Sequence, residues 1–357
     1  MTNQIAIQKA LQHVLSIVPD GRKLQFMEVC GTHTMSIAKM GLRGILGNKI
    51  RLVSGPGCPV CVTSDLDLTR MLYIAEQPDV IITTFGDMMR VPVGGRSLFD
   101  SKASGADVRI VYSPDNALKI ASENPHNEVV FIAVGFETTI PTIAATIIEA
   151  ESDGIKNFSI LPAMKIVPPA LRMLCGHPKL SIDGFILPGH VSTIIGTKPY
   201  RFITDEFALP GVITGFSDCD IADALLILTE LVTANEPAIV NSYKRAVQTD
   251  GNQTASVLMD RVFIVDDAEW RGIGMLQGSG LKLREEYLDF DAGSRFALPS
   301  NSLQIETDCR CGEVILGKII PTECRHFAKD CTPNNPLGPC MVSSEGACAA
   351  YFKYRSI

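Results

Sequence analysis

The chain has 357 residues, 46% of them hydrophobic and 20% charged, which is enough to bury more than one sizeable core. Its net charge of −7 argues against a nucleic-acid binder, which would carry a basic stripe. No apolar run reaches the length of a bilayer span, and Met1-Thr2-Asn3-Gln4-Ile5 lacks the charged-then-apolar layout of a secretory signal, so a cytoplasmic protein is expected.

Residues 4–19 carry Ile5, Ile7, Leu11, Val14 and Leu15 at helical spacing, which predicts a leading helix. A strand over 24–29 runs into Cys30-Gly31-Thr32-His33-Thr34, followed by a helix from Met35 to Met40. A strand over 49–54 meets the turn Gly55-Pro56-Gly57-Cys58-Pro59-Val60-Cys61, and a helix covers 64–76. Strands at 79–85, 108–112, 128–134, 158–162 and 183–187 continue the pattern, most of them followed by a helix. Three of them end in Gly86-Asp87-Met88, Gly135-Phe136-Glu137-Thr138-Thr139 and Pro188-Gly189-His190-Val191-Ser192. Residues 218–260 read as helical and 262–265 as a strand, and after Trp270 the chain reads as Gly-rich and irregular.

Strand, Gly turn, helix in repetition means an α/β fold with mainly parallel sheets. The strands are apolar runs, as expected when both faces are covered. Two doubly wound domains are expected, 1–125 and 126–217, with 218–357 forming a helical segment and an irregular C-terminal cluster-binding region. In parallel sheets the carboxyl ends of the strands share one edge, so the polar strand ends are expected to converge.

Eleven cysteines are many for a reducing compartment, where clustered thiols point to metal or redox work. Cys175 and Cys219 stand alone and read as small buried hydrophobes. Cys58 and Cys61 are close enough to form a disulfide, share a metal or exchange with a partner's sulfur. Pro59 fits the first position of a helix, and a thiol at a helix N-terminus is acidified, which favours exchange. The competing reading is half of a zinc site completed by Cys30 and His33. Cys30 and His33, at i and i+3, suit a soft metal or a thiolate with a proton carrier; the plain alternative is a buried Cys beside a helix cap. Glu137 is a proton donor, a ligand or a cap, His190 with Ser192 is a similar signal, and Asp87 is weaker. Cys309, Cys311, Cys324, Cys331, Cys340 and Cys348 crowd the end of the chain. Four thiolates suit zinc or a cubane iron–sulfur cluster equally well. The absence of short Cys-x2-Cys pairs there favours iron–sulfur, but spacing alone does not choose four ligands from six.

Cys30-Gly31-Thr32-His33, Gly55 to Cys61, Gly135 to Thr139, Pro188 to Ser192 and the tail Gly338-Pro339-Cys340-Met341-Val342-Ser343-Ser344-Glu345-Gly346-Ala347-Cys348 together resemble the HypD family of [NiFe]-hydrogenase maturation factors. The resemblance runs in order over nearly the whole chain. It implies two α/β domains and a C-terminal part carrying a [4Fe–4S] cluster, with Cys309, Cys324, Cys331 and Cys348 as ligands and Cys311 and Cys340 as non-ligands. It implies a complex with a small HypC-type chaperone on which iron becomes Fe(CN)2CO. The cyanide would come from a thiocyanate on a HypE-type carrier, with that carrier's HypF-type partner as a further candidate. Cys30 would bind the iron, and Cys58 and Cys61 would be a redox pair relaying electrons between cluster and iron. His33, Glu137 and His190 are candidate proton or hydrogen-bond donors to the cyanide nitrogens. The expected protein is a redox-active assembly scaffold rather than an independently turning-over enzyme. The alternatives are an iron–sulfur-dependent thiol–disulfide reductase and a zinc-stabilised binding protein.

Overall fold

The computed structural model describes residues 2–178, 180–303 and 308–354. Among the described residues eleven strands form three sheets. β1 (Leu24–Glu28), β2 (Ile50–Ser54), β7 (Gly184–Pro188), β8 (Gly211–Thr214) and β9 (Ile239–Asn241) make a parallel sheet in the order β2-β1-β7-β8-β9. β3 (Val80–Thr84), β4 (Asp107–Ile110), β5 (Glu128–Ala133) and β6 (Phe158–Pro162) make a second, in the order β4-β3-β5-β6. β10 (Phe263–Trp270) and β11 (Gly274–Leu283) form an antiparallel ribbon.

Both faces of each parallel sheet are covered, which is why the strands read as apolar runs. On one face of the first sheet Phe26, Leu52, Ile186 and Val212 pack against Val14, Ile37, Leu225 and Leu228 of the helices Thr2–Ile17, Gly31–Lys39 and Asp218–Ala234. On one face of the second sheet Val129, Phe131 and Phe158 pack against Ile143 and Ile147 of helix Ile140–Ser152. The remaining faces share one core: Met27, Val53 and Phe185 join Ile82, Val130 and Leu161, together with Val314, Cys331, Cys340 and Cys348 of the tail. Each such large apolar side chain contributes about 1.5–3 kcal/mol on burial, so the tail is part of the central core and not an appendage.

The leading helix and the seven strands expected before residue 190 are present. Three others were not legible. β8 is a four-residue Gly-Val-Ile-Thr run, too short to show a period. β9 interrupts the stretch expected to be helical. β11 contains Gly274, Gly278 and Gly280, which hide its pattern because glycine weakens strand signals. The helix after Cys30 begins at Gly31 rather than Met35. The expected division at 125/126 cuts between β3 and β5, which pair, and that at 217/218 cuts between β8 and β9, which also pair. The chain leaves the first sheet after β2, builds the second, and returns at β7. Such an excursion leaves no compositional mark in the sequence.

Each parallel sheet reverses its strand order once, at β1/β7 in the first and at β3/β5 in the second. These are the crevices where α/β folds bind ligands. No helix among the described residues is long and apolar enough to cross a membrane.

Candidate functional site

Cys30 follows β1 at the β1/β7 crevice and is the N-cap of helix Gly31–Lys39, with extended backbone (φ −157°, ψ 127°). The backbone N–H groups of Thr32 and His33 face its sulfur and favour the thiolate, but burial, followed by the charge of Glu345, outweighs them and pushes the thiol up to about 11. Cys30 is therefore a neutral thiol at pH 7. An arriving cation would reverse that balance.

The Gly55–Cys61 turn lies directly against it. The Gly31 N–H donates to the Gly57 carbonyl at 3.0 Å. A Cβ on Gly57 would stand 2.3 Å from the Cys30 nitrogen, so this approach requires glycine. Cys58 caps the short helix Pro59–Val62, with Pro59 in its first turn as expected. Its Sγ accepts the Cys61 N–H at 3.1 Å. Cys58 and Cys61 form a disulfide. A narrow recess of about 10 Å³ is lined by Gly31, Cys58, Cys61, Cys340 and Glu345, among others.

The first-sheet residues converge as expected. His33 is fully buried and its Nε2–H donates to the Gly215 carbonyl at 3.0 Å, leaving Nδ1 without a hydrogen-bond partner among the described residues. Burial pushes this imidazole down to about 4, so it is neutral at pH 7. Phe216, just after β8, stacks with both His33 (4.8 Å) and the exposed His190 (3.9 Å). Burial lowers His190, and the charge of Glu345 opposes that. Ser192 is structural: its hydroxyl donates to the Pro188 carbonyl at 2.7 Å.

Sequence reasoning passed over Glu345, Ser343 and Thr32. Thr32 donates to Glu345 at 2.7 Å, which fixes that carboxylate over the start of the Cys30 helix. A Cβ on Gly31 would meet the Glu345 Cβ at 2.3 Å. Asp87, from the second sheet, holds the same tail loop by accepting from Ser343 Oγ (3.0 Å), Ser344 N–H (2.9 Å) and Ser344 Oγ (2.9 Å). The tail motif containing these residues was visible, but nothing in it marks a contact spanning some 313 positions.

Glu137 does not share the recess of Cys58 and Cys61. It lines a separate cavity of about 360 Å³ with Ile166, Pro168, Met259 and Phe263. Its Oε1 accepts the Val167 N–H at 2.9 Å, at the start of helix Val167–Cys175, while Oε2 has no partner. Glu137 therefore caps a helix other than the one that follows it. Burial pushes its carboxyl up to about 7.

Cys309, Cys311, Cys324, Cys331 and Cys348 line one small void of about 20 Å³ with Phe327, Leu337 and Met341, among others. The Cys311 thiol, then burial, pushes Cys309 far up, and burial raises Cys331. Cys340 lines the Cys58–Cys61 recess instead. Among the described residues no three His, Cys, Asp or Glu side chains stand in metal-coordinating geometry. Cys175 and Cys219 are half-buried rather than fully buried.

A sequence model described as "HypD: Hydrogenase formation hypA family" matches residues 5–355. The chain is 42% identical over 355 residues to the hydrogenase maturation factor HypD of Cupriavidus necator, covering 97% of this chain and 94% of that one. It is 44% identical over 335 residues to the protein of the same name from Escherichia coli, covering 94% and 90%. A putative hydrogenase expression/formation protein of Methanocaldococcus jannaschii is 39% identical over 357 residues, covering 100% and 99%. With its sequence matched from end to end and its cysteine, histidine and tail motifs gathered at one crevice, the chain belongs to the HypD family.

Proposed function

We propose that the protein is a redox-active scaffold on which the Fe(CN)2CO group of a [NiFe]-hydrogenase is assembled. The observation that carries this reading is the single recess bordered by the Cys58–Cys61 pair, the Cys30 helix and Glu345. Iron, as cargo, binds the Cys30 sulfur. Its charge converts the buried thiol to thiolate, helped by the Thr32 and His33 N–H groups already facing it. As a dithiol, Cys58 and Cys61 hold the two electrons needed to release cyanide from a thiocyanate. His33 keeps a bare Nδ1 and a fixed ring, and His190 sits exposed near Glu345. Both suit hydrogen bonding to the ligands of the bound iron. Glu137, in a separate cavity, acts at a distance or not at all.

Cys309, Cys324, Cys331 and Cys348 suit a [4Fe–4S] cluster: these four thiols, with Cys311, border one void, and the Cys311 thiol and burial disfavour the charged form of Cys309, and burial that of Cys331, unless a cation is present. Bound there, the cluster supplies electrons one at a time. Brown absorbance bleached by dithionite is expected of the anaerobically purified protein, and a colourless zinc protein would refute the assignment. A HypC-type chaperone would complete the iron site from the open side of the crevice, and a HypE-type carrier, with its HypF-type partner, would deliver cyanide.

The deciding experiment is infrared spectroscopy of the protein purified with its small chaperone. Cyanide and carbonyl bands are expected in the wild type and lost in Cys30→Ala, whereas Cys58→Ala and Cys61→Ala retain iron but fail to acquire cyanide. Bands that survive in Cys30→Ala would overturn the iron assignment. A cluster-dependent thiol–disulfide reductase is the second reading. It is favoured by the disulfide in the recess and has no need of Cys30.

A further inference from the structure

Cys58 and Cys61 are 5% and 1% exposed. Opening the bond between them must bring two protons into a dry site, and closing it must take two out. One polar chain leads from this pair towards solvent. Cys58 Sγ stands 3.3 Å from Ser343 Oγ, and Ser343 Oγ stands 3.0 Å from Asp87 Oδ2. Ser343 is 1% exposed, whereas Asp87 is half-exposed at the end of β3. A serine hydroxyl has one hydrogen and two lone pairs. Its hydrogen goes to the Asp87 carboxylate, the stronger acceptor, and one lone pair accepts the Glu345 N–H at 3.2 Å. The second lone pair is left for a Cys58 S–H. Among the described residues the Cys61 sulfur has no comparable hydrogen-bond partner.

We propose that Ser343 and Asp87 form the proton route of the Cys58 sulfur, a conclusion that rests on the pair being redox-active. In the reducing direction an external dithiol provides the electron pair. One of its sulfurs, as thiolate, attacks the disulfide, the S–S bond breaks, and a mixed disulfide forms. Its second sulfur then closes the reductant's own disulfide and frees the remaining protein sulfur. Each protein sulfur takes up one proton, replacing the two that the reductant's thiols lost to water. Asp87 first takes a proton from water and then donates it to Ser343 Oγ, as Ser343 passes its own hydrogen to the Cys58 sulfur. Oxidation runs the same path backwards. Asp87 and Ser343 are thus positioning and relay residues for the pair, and the tail loop that Asp87 holds brings the relay into place.

The test uses the full-length protein. Dithiothreitol opens the disulfide under anaerobic conditions, and quenched alkylation with mass analysis counts the free Cys58 and Cys61 thiols over time. Asp87→Asn keeps a carbonyl acceptor for Ser343 but carries no exchangeable acid proton. It is expected to slow opening about 100-fold or more at an unchanged melting temperature. Ser343→Ala is expected to slow it comparably, and the double variant no further than either single one. Added formate is expected to restore the rate of Asp87→Ala. Asp87→Asn and Ser343→Ala opening at the wild-type rate would overturn the route. So would an Asp87→Ala variant that is slow and deaf to formate while Asp87→Asn is unimpaired, since that pattern marks a clamp alone. A wild-type disulfide that the dithiol leaves closed defeats the redox reading and this route with it, whereas a wild type that opens while the variants keep pace defeats the route alone.

Discussion

Glu137 combines full burial, one accepted N–H and one unpartnered oxygen. Its carboxyl is raised from 4.5 to about 7, so between those values the native protein holds a proton that the unfolded chain has lost. Stability then falls as pH rises through that window, by about 3 kcal/mol at most from this group. Glu137→Gln keeps an acceptor for the Val167 N–H and cannot ionise. It is expected to be more stable than the wild type above pH ~7, with the gain vanishing near pH ~4, as read from urea midpoints across that range. A Gln variant that tracks the wild type at every pH would contradict the burial argument. At this scale the sequence was only partly legible. Residue type marked Cys30, His33 and His190 as chemical. It could not reveal that His33 would be neutral with Nε2–H spent on Gly215, because that follows from a carbonyl some 182 positions away.

The ends of β1 and β2 are tied by a buried group of three. Glu28, 0% exposed, receives Arg43 Nη2 at 2.5 Å and Ser54 Oγ at 2.8 Å. Burial raises the Glu28 carboxyl even with Arg43 beside it, which shows how dry this junction is. Removing one member of such a pair leaves an uncompensated charge. Arg43→Met is expected to cost about 3 kcal/mol, and the double variant with Glu28→Gln to recover much of it, measured by chemical denaturation. The next loop tolerates no more bulk than it has. Gly57→Ala would press a methyl group against the Cys30 backbone, costing about 1–3 kcal/mol, and is expected to weaken the iron-derived infrared bands as well as lower the melting temperature. A Gly57→Ala protein with wild-type bands would mean that the loop can retreat without consequence. Elements with a clean apolar run or a helical stripe were readable, such as β5 and the helix Ile140–Ser152. Those made of few residues or many glycines, β8 and β11, were not.

The two parallel sheets are not successive domains. Residues 24–54 and 184–241 build one sheet, the second is inserted between them, and both turn a face to a shared core that includes the tail. Such interdependence predicts a single cooperative unfolding transition, with amides of β1 and β7 losing hydrogen-exchange protection together. Two resolved calorimetric transitions would contradict it. The α/β class and the convergence of first-sheet strand ends were legible, because both follow from local grammar. Which strands share a sheet was not, because pairing partners are chosen by three-dimensional closure. The candidate site divides the same way: its thiols and imidazoles announce themselves by type, while the tail residues that wall it are recognisable only by where they land.

The pairing of Phe26 with Gly184 also sets a schedule for the ribosome. β2 follows β1 closely, but roughly 160 residues must be made before β1 finds β7 on its other side, about 8–30 s at ordinary elongation rates. The loop of Ser343, Ser344 and Glu345 emerges 285 positions after Cys58. A nascent chain therefore carries the Cys30, Cys58 and Cys61 thiols long before the recess around them exists. A chain stopped short of that loop would have these sulfurs but no wall of Ser343 and Glu345 around them.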